Sequence, residues 1–217
     1  MEPELTHPDI IFFDSNRAFV RAVEDESDNW ALERRMSFIH CSVDQLSGIA
    51  SMPIDCIVSP ANSFGLMDGG IDLALSEFFG WDLQKQVQAR ICGEYGGEQP
   101  VGTSFIIETG HLAIPFLAHT PTMRLPEDKR GTDAPYVAML ALLQATTAYN
   151  RLHRQNPIRS VAVCGLGTGC GKVPVDSAAR QQMTALGAFE KGLQAVQTGW
   201  DWGTAVSLEV DRAIWGP

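Results

Sequence analysis

Two glycine-rich segments of the chain contain the residue types that can hold a phosphate group. One of them, Gly165–Gly171, has four glycines in seven residues and follows the apolar segment Val161–Cys164. Backbone N–H groups of such a loop, between a strand and a helix, can point together at one anion without a cationic side chain. Its spacing matches neither the P-loop nor the G-x-G-x-x-G dinucleotide fingerprint. The pattern is compatible with a diphosphate site built from the main chain, but taken alone it is more often explained by packing, since many βα turns are glycine-rich for that reason.

The other segment, residues 59–72, combines polar side chains with two consecutive glycines. It carries Asn62 before Gly69-Gly70 and Asp72 after them. The two glycines allow the backbone to approach a ligand closely. Asn62 can bind a ligand or cap the local backbone, and Asp72 can bind water or complement the dipole of a following helix. The residues alone leave these alternatives open.

Apolar segments of strand length predict the elements that position these loops. They are rich in Ile, Val and Phe, and several lack alternation, which is typical of strands covered on both faces: Ile10–Phe13, Phe38–Val43, Ile54–Val58, Ser104–Glu108, Ile114–His119, Val161–Leu166 and Val206–Val210. Helical patterns lie between them: Ser15–Val23 capped by Asp14, Leu73–Phe79, Trp81–Tyr95, Pro135–His153 capped by Thr132 or Asp133, and Val175–Leu193. This order predicts a three-layer α/β/α sandwich with a mixed, mostly parallel sheet of about six or seven strands. Ligands of such sheets bind beyond the carboxyl ends of strands, where both glycine-rich segments lie.

Composition limits the classes of protein to consider. The chain has 217 residues, 45% of them hydrophobic and 19% charged, which predicts one globular domain over residues 1–217, with residues 1–35 as a strand-helix element of that domain. The net charge of −10 argues against a duplex nucleic-acid partner. Five cysteines without a C-x-x-C pair indicate reduced thiols rather than a disulfide framework or a zinc site. Without a signal-like or membrane-spanning segment, we expect a cytoplasmic protein with no membrane partner, metal or cofactor. The sequence gives no indication of oligomeric state.

Four segments of the chain resemble, in the right order, the signatures of the macrodomain family, of the type that binds ADP-ribose or processes Appr-1''-p. The segments similar to the family's N-A-A-N and G-G-G-V-D are Ser59-Pro60-Ala61-Asn62 and Asp68-Gly69-Gly70-Ile71-Asp72. The segment similar to its S-T-G-I is Gly167-Thr168-Gly169-Cys170, with Pro174 following. Between them, residues 98–104 resemble C-P-T-G-E-A, and residues 114–120 resemble Y-V-I-H-T, with His119 as the histidine. The resemblance extends over essentially the whole chain.

This resemblance implies an ADP-ribose pocket, with ADP-ribose or an ADP-ribosylated macromolecule as the partner. The loop Gly165–Gly171 would wrap the diphosphate, Asn62 would bind the distal ribose, and Asp72 would position or activate the attacking water. Asn62 and Asp72 are therefore the predicted catalytic residues. The predicted ligand-binding residues are Ser42, Ala61, Asn62, Gly69, Gly70, Ile71, Gly165, Gly167, Thr168, Gly169, Cys170 and Gly171.

Departures from the family pattern leave several functions open. Ser42 stands where the family's G-D-I segment has the aspartate that takes the adenine amino group, so another base is an alternative to adenine. Ser59 replaces the first asparagine of N-A-A-N, and Asp68 replaces the first glycine of G-G-G. The leading hypothesis is a metal-independent hydrolase of ADP-ribosyl linkages on modified targets or of ADP-ribose esters. The alternatives are a non-catalytic ADP-ribose reader, a phosphatase of ADP-ribose 1''-phosphate, and a domain for a different nucleotide.

The polar segment 122–131 has a length that is typical of a loop covering a binding site. Its Arg124, and Lys172 beside the second glycine-rich loop, can add positive charge near a bound phosphate. His119, at the end of an apolar segment, is predicted to be an interior histidine rather than a ligand.

Overall fold

A computed structural model describes residues 8–28, 36–199, 202–203 and 205–206 of the chain. Within these ranges one sheet contains β1 (Asp9–Asp14), β2 (Met36–His40), β3 (Cys56–Ser59), β4 (Phe105–Glu108), β5 (Phe116–His119) and β6 (Ser160–Val163). The strand order is β2-β1-β6-β3-β5-β4. All neighbouring strands pair parallel except β4, which pairs antiparallel with β5 at the edge. The predicted mixed, mostly parallel sheet is confirmed.

The helices form two layers on this sheet. They are α1 (Arg17–Ser27), α2 (Val43–Ile49), α3 (Gly70–Phe79), α4 (Asp82–Tyr95), α5 (Ala134–Leu152) and α6 (Val175–Thr198). Helix α6 packs against α1 and α5, whereas α3 packs against α2 and α4. The chain therefore has the predicted three-layer α/β/α architecture. None of the described helices is long and apolar enough to cross a membrane.

The central strands explain why the sheet is covered on both faces. In β1 the consecutive residues Ile10, Ile11, Phe12 and Phe13 are all buried, so side chains pointing to opposite faces meet apolar neighbours on each side. Phe12 stacks on Phe38 of β2, with ring centroids 5.9 Å apart. Strand β6 is likewise buried throughout. Burial on both faces fixes the central strands that support the loops at their carboxyl ends.

Three local predictions need correction or remain outside the described residues. The helix predicted at Ser15–Val23 begins at Arg17 and is capped by Asn16, whose side chain accepts a hydrogen bond from Ala18 N at 3.0 Å, rather than by Asp14. The strand predicted at 38–43 ends at His40, because Ser42 caps a short helix, α2, that was not predicted. The signal for α2 is a serine followed three residues later by Gln45, a capping box. Of the strand predicted at 206–210, only Val206 is described, and it is helical.

The parallel arrangement brings distant loops to one edge of the sheet. Strands β1, β2, β3, β5 and β6 run in the same direction, so the loops that follow them emerge side by side. Both glycine-rich segments are among these loops, one after β3 and the other after β6. Since β3 and β6 are neighbours in the sheet, the two segments face each other.

Phe12→Ala should test the core that supports this edge. Phe12 is fully buried, so removing its ring leaves a cavity, and the free energy of unfolding should fall by about 3–5 kcal/mol. Urea denaturation followed by circular dichroism gives this difference. The control Leu112→Ala removes a fully exposed apolar side chain and should change the free energy by no more than about 0.5 kcal/mol. Equal effects of the two variants would contradict the assignment of Phe12 to the core.

Candidate functional site

A cleft of about 300 Å³ lies at the carboxyl edge of the sheet. It is lined by parts of the loops after β1, β2, β3, β5 and β6. The predicted site residues that border it are Ser42, Ala61, Asn62, Gly69, Ile71, Asp72, Gly165, Gly167, Thr168, Gly169, Cys170 and Gly171. Gly70 is the exception, since it does not border the cleft and its φ of +56° alone accounts for a glycine at this position. The two segments singled out in the sequence thus form one site.

The loop Gly165–Gly171 is closed by hydrogen bonds within itself. The backbone N and the hydroxyl of Thr168 both donate to Gly165 O, at 3.2 and 2.7 Å. Val173 N donates to Gly167 O at 3.1 Å, and Lys172 N donates to Gly169 O at 2.9 Å. These bonds use the carbonyl groups of Gly165, Gly167 and Gly169.

Four amides of this loop are left for a ligand. The N–H groups of Gly167, Gly169, Cys170 and Gly171 donate to no acceptor among the described residues. The four residues border the cleft, and three of them are consecutive. Successive free N–H groups in a turn make a concave site for an anion. The loop therefore has the features of the predicted phosphate-binding nest.

Glycine is required at some positions of this loop and not at others. A Cβ on Gly171 would lie 2.5 Å from Gly167 O, and Gly167 has a φ of +73°. A Cβ on Gly169 would meet nothing within 4 Å. Gly167 and Gly171 are therefore glycines for the sake of the fold, whereas Gly169 faces open space in the cleft.

Two buried or half-buried side chains anchor the start of this loop from neighbouring elements. The carboxylate of Asp14, at the end of β1, accepts hydrogen bonds from Gly165 N at 3.1 Å and Asn16 N at 2.8 Å. On α6, Gln182 accepts from Leu166 N at 2.9 Å and donates to Cys164 O at 3.1 Å. The sequence reasoning missed the role of Asp14, because nothing in the sequence places β1 beside β6.

The side chain of Asn62 is used largely by its own loop. Its Oδ1 accepts hydrogen bonds from Phe64 N at 3.0 Å and Leu66 N at 3.3 Å, and its Nδ2 donates to Leu66 O at 2.9 Å. This is the local capping role that the sequence left open. One N–H of the Nδ2 group is not used by these bonds, so the predicted contact with a ribose stays a prediction.

Asp72 lies in the first turn of α3 with its side chain almost completely buried. Its Oδ1 accepts a hydrogen bond from the hydroxyl of Ser59, the last residue of β3, at 2.5 Å. Burial raises the pKa of Asp72 to about 7, against the opposing effect of the Ser59 hydrogen bond, which favours the charged form. The carboxyl group therefore gains and loses its proton near neutral pH, the range in which a general base is most effective.

The family to which this arrangement belongs is shown by comparison with known proteins. The model of the Macro domain family matches residues 58–182, more than half of the chain. The chain belongs to the macrodomain family. The match begins within β3 and contains both glycine-rich segments of the cleft.

Individual relatives of this macrodomain are distant. The chain is 30% identical to an uncharacterized protein of Aquifex aeolicus over 142 residues, covering 65% of this chain and 78% of that protein. It is 28% identical over 136 residues to a protein-ADP-ribose hydrolase of Treponema medium, covering 60% of this chain and 50% of that protein. Among solved structures, the macrodomain of Mycobacterium tuberculosis DarG is similar in fold, with 21% identity, a TM-score of 0.50 and coverage of 64% and 85% of the two chains.

The macrodomain cleft contains acidic side chains and no basic ones among the described residues that line it. Asp14, Asp68 and Asp72 border it, and no Lys, Arg or His does. Arg124 does not supply the positive charge suggested by its position, because it forms a bidentate ion pair with Glu98 at 2.6 and 2.9 Å. Among the described residues that line the cleft, no side chain therefore supplies a positive charge for a phosphate.

The segment 122–131, predicted to be a loop near the binding site, borders the cleft. Thr122, Met123 and Pro126 border the cleft, and Met123 forms an isolated parallel bridge with Asn62. Further along, Lys129 N donates to Gly171 O at 2.7 Å. The segment thus makes backbone contacts with both glycine-rich loops, at Asn62 and at Gly171.

His119 is an interior residue, as expected. It is fully buried at the end of β5, stacks on Phe105 and bonds through Nδ1 to Gln99 Oε1 at 2.6 Å. Burial lowers the pKa of His119 to about 3, so the ring is neutral. It does not line the cleft.

The buried carboxyl of Asp72 should make stability depend on pH. Its pKa is raised from 3.8 in the unfolded chain to about 7 in the fold, so its contribution is fully present below about pH 4 and is lost as pH rises through 7. At about 1.4 kcal/mol per pH unit, the loss approaches about 4 kcal/mol. The side chain at position 72 of the variant Asp72→Asn cannot ionise. The free energy of unfolding of the variant, relative to that of wild type, should therefore be up to about 4 kcal/mol higher at pH 8 than at pH 4.5.

Chemical denaturation of both proteins at the two pH values measures this gain. Asp82→Asn is the control, because Asp82 lies on the surface of α4 beside Lys85 and should show no comparable gain. A free-energy difference between wild type and Asp72→Asn that is the same at pH 4.5 and pH 8 would show that the carboxyl titrates normally.

Proposed function

We propose that this macrodomain binds ADP-ribose in its cleft and hydrolyses ADP-ribosyl linkages on modified targets or ADP-ribose esters. The observation that carries the proposal is the set of free N–H groups at Gly167, Gly169, Cys170 and Gly171, in a cleft lined by carboxylates. Consecutive main-chain amides of this kind are suited to a diphosphate, and no Lys, Arg or His is among the described residues that line the cleft. The name of the Treponema medium relative, a protein-ADP-ribose hydrolase, supports the same substrate class.

The order of the strands supports one orientation for the ligand. The loops after β2 and β1 lie on one side of the Gly165–Gly171 loop, and the loop after β3 lies on the other. The first side presents Phe13, Cys41 and Val43, which suit the face of a base. The second side presents Asn62, Asp68 and Asp72, which suit ribose hydroxyls and a reacting carbon.

Ser42 has the hydrogen-bonding character that an amino-bearing base needs. Its hydroxyl donates to Asp44 Oδ1 at 2.5 Å, so the proton of the hydroxyl is directed away and the oxygen keeps lone pairs for a donor. An adenine amino group is such a donor. The Ser42–Asp44 pair is therefore our candidate for the role of the family's aspartate, and we propose adenine as the base.

The chemical step needs a base beside the distal ribose. As ionised Asp72 accepts a proton from water, the water oxygen forms a bond to the anomeric or acyl carbon. Attack at the anomeric carbon breaks its bond to the target oxygen, whereas attack at an acyl carbon breaks its bond to the ribose oxygen. In either case the departing oxygen takes the proton back from Asp72, so bonds and protons balance. Fixed orientation and proton transfer together supply a large part of the rate enhancement, with about 10²–10⁴-fold from proton transfer.

A reader that binds ADP-ribose without hydrolysis is the second candidate. The observation in its favour is that the Asn62 amide is largely used within its own loop, so fewer groups are free to distort or orient the distal ribose. A phosphatase of ADP-ribose 1''-phosphate fits less well, because Asp68 and Asp72 would repel a second phosphate at that end. The domain extent over 1–217 and the cytoplasmic location remain predictions.

Binding should depend on the open space at Gly169. A Cβ at Gly169 would meet no protein atom within 4 Å, so in Gly169→Val the fold should persist while the side chain fills the diphosphate site. Isothermal titration calorimetry should show affinity decreasing from ADP-ribose to ADP to AMP for wild type, and a loss of at least about 30-fold for the variant. Gly93→Val, in α4 and equally uncrowded, is the matched control. Absence of heat with ADP-ribose in wild type would refute the proposal.

Turnover should depend on Asp72. In Asp72→Ala, hydrolysis should fall at least about 100-fold, since the proton acceptor is lost, while the affinity for ADP-ribose stays within about tenfold. Mass spectrometry of a peptide carrying ester-linked ADP-ribose, and of ADP-ribose esters, measures the rate. Asp82→Ala, on the exposed surface of α4, should retain full activity. If wild type binds ADP-ribose and leaves every substrate intact, the reader is the correct function; release of inorganic phosphate from ADP-ribose 1''-phosphate would identify the phosphatase.

A further inference from the structure

We propose that Ser59 is the positioning residue for Asp72: its hydroxyl holds one carboxylate oxygen against the end of β3, so that the other oxygen is presented to the cleft. Ser59 stands where the family pattern has asparagine, and it does not line the cleft itself. The effect of Ser59 on catalysis rests on the proposed function, whereas the effect of Ser59 on the titration of Asp72 does not.

Ser59 is suited to positioning because its own place is rigid. It is the last residue of β3, is fully buried, and pairs in register with His119 of β5. Thr120 N donates to Ser59 O at 2.9 Å, which fixes the backbone beyond the strand end. A hydroxyl on such a frame has one preferred direction, and that direction ends on Asp72 Oδ1 at 2.5 Å.

The two oxygens of Asp72 have different surroundings. Oδ1 accepts the Ser59 hydrogen bond, whereas Oδ2 accepts no hydrogen bond from any described residue. The side chain is buried yet borders the cleft. An oxygen left free at that border is the one available to a water molecule, and the Ser59 contact determines which oxygen it is.

Ser59 is also the group that favours the charged form of Asp72. The pKa of Asp72 is raised by burial and lowered by the Ser59 hydrogen bond, and no cation contributes. Other groups around it do not take over this role. Cys164, after β6, is a buried thiol whose pKa is raised by burial and by nearby Asp14 and Asp72. Asp44 of α2 is exposed and accepts a hydrogen bond from Ser42. At the start of α4, Asp82 and Lys85 form an ion pair with each other at the surface.

The test is titration of the Asp72 carboxyl carbon by ¹³C NMR in wild type and in Ser59→Ala. Loss of one hydrogen bond to a charged acceptor should raise the midpoint by about one to two pH units. The rising limb of the pH profile for hydrolysis should move by the same amount, so that kcat falls at pH 7 and recovers at higher pH while KM changes little. Ser59→Thr keeps the hydroxyl and should restore the wild-type midpoint.

Ser160→Ala is the matched control, because Ser160 is also a buried strand serine and its hydroxyl donates to Pro53 O at 2.6 Å, away from the cleft. It should leave the midpoint and the pH profile unchanged. If Ser59→Ala does not fold, Ser59→Cys tests the same point, since a thiol is a weaker donor and should give a smaller rise. An unchanged midpoint in a folded Ser59 variant would refute the positioning role. A raised midpoint without any hydrolysis would instead refute the proposed activity and leave Ser59 as a residue that controls the charge of the cleft.

Discussion

The proposed site depends on one electrostatic constraint: the described residues that line the cleft include three aspartates and no cationic side chain, yet the proposed ligand is an anion. In the proposed site the main chain provides the donors, and a main-chain site works only if its backbone is held in place. The loop Gly165–Gly171 meets this condition because the carbonyl groups of Gly165, Gly167 and Gly169 accept hydrogen bonds from residues 168–173 of the same turn. Asp14 and Gln182 fix its entry. Asp14 lies at the end of β1 and Gln182 lies on α6. The geometry of the proposed anion site therefore depends on how these elements pack around the loop.

The acidic side chains of the cleft have contacts that reduce their negative charge toward the proposed ligand. Asp14 lies beside the Gly165–Gly171 loop, but its carboxylate oxygens accept hydrogen bonds from Gly165 N and Asn16 N, which disperses its charge. Asp72 is buried so deeply that it carries a full charge only above about pH 7. A cleft that would otherwise repel a diphosphate is thereby less negative than its composition suggests.

The sequence was sufficient to predict the fold class and the two segments that form the cleft. Apolar strands, glycine-rich turns and family signatures are local patterns; the structure confirms the sheet and the layers, and the match to the Macro domain model confirms the family. The features of the site that the sequence did not predict depend on contacts between residues that are distant along the chain. Asp14 was interpreted as a helix cap because it precedes a helical pattern, whereas its contact with Gly165 requires β1 to lie beside β6. The Ser59 contact with Asp72 spans 13 residues and depends on where α3 begins. Helix α2 is different, since Ser42 and Gln45 form a local capping signal that could have been recognised.

Burial of Asp72 has opposite consequences for the two steps of the proposed reaction. Below about pH 7 the protonated carboxyl makes the cleft less negative, which favours entry of an anionic ligand but removes the base. Above that pH the base is present, and the diphosphate must bind beside an additional negative charge. A cation near Asp72 would keep the carboxylate ionised over a wider range, but it would also compete with the main-chain site for the phosphates. The Ser59 hydroxyl favours the ionised carboxylate without adding a charge, so the distal end keeps a usable base while the amides of Gly165–Gly171 remain the strongest attraction for an anion in the cleft.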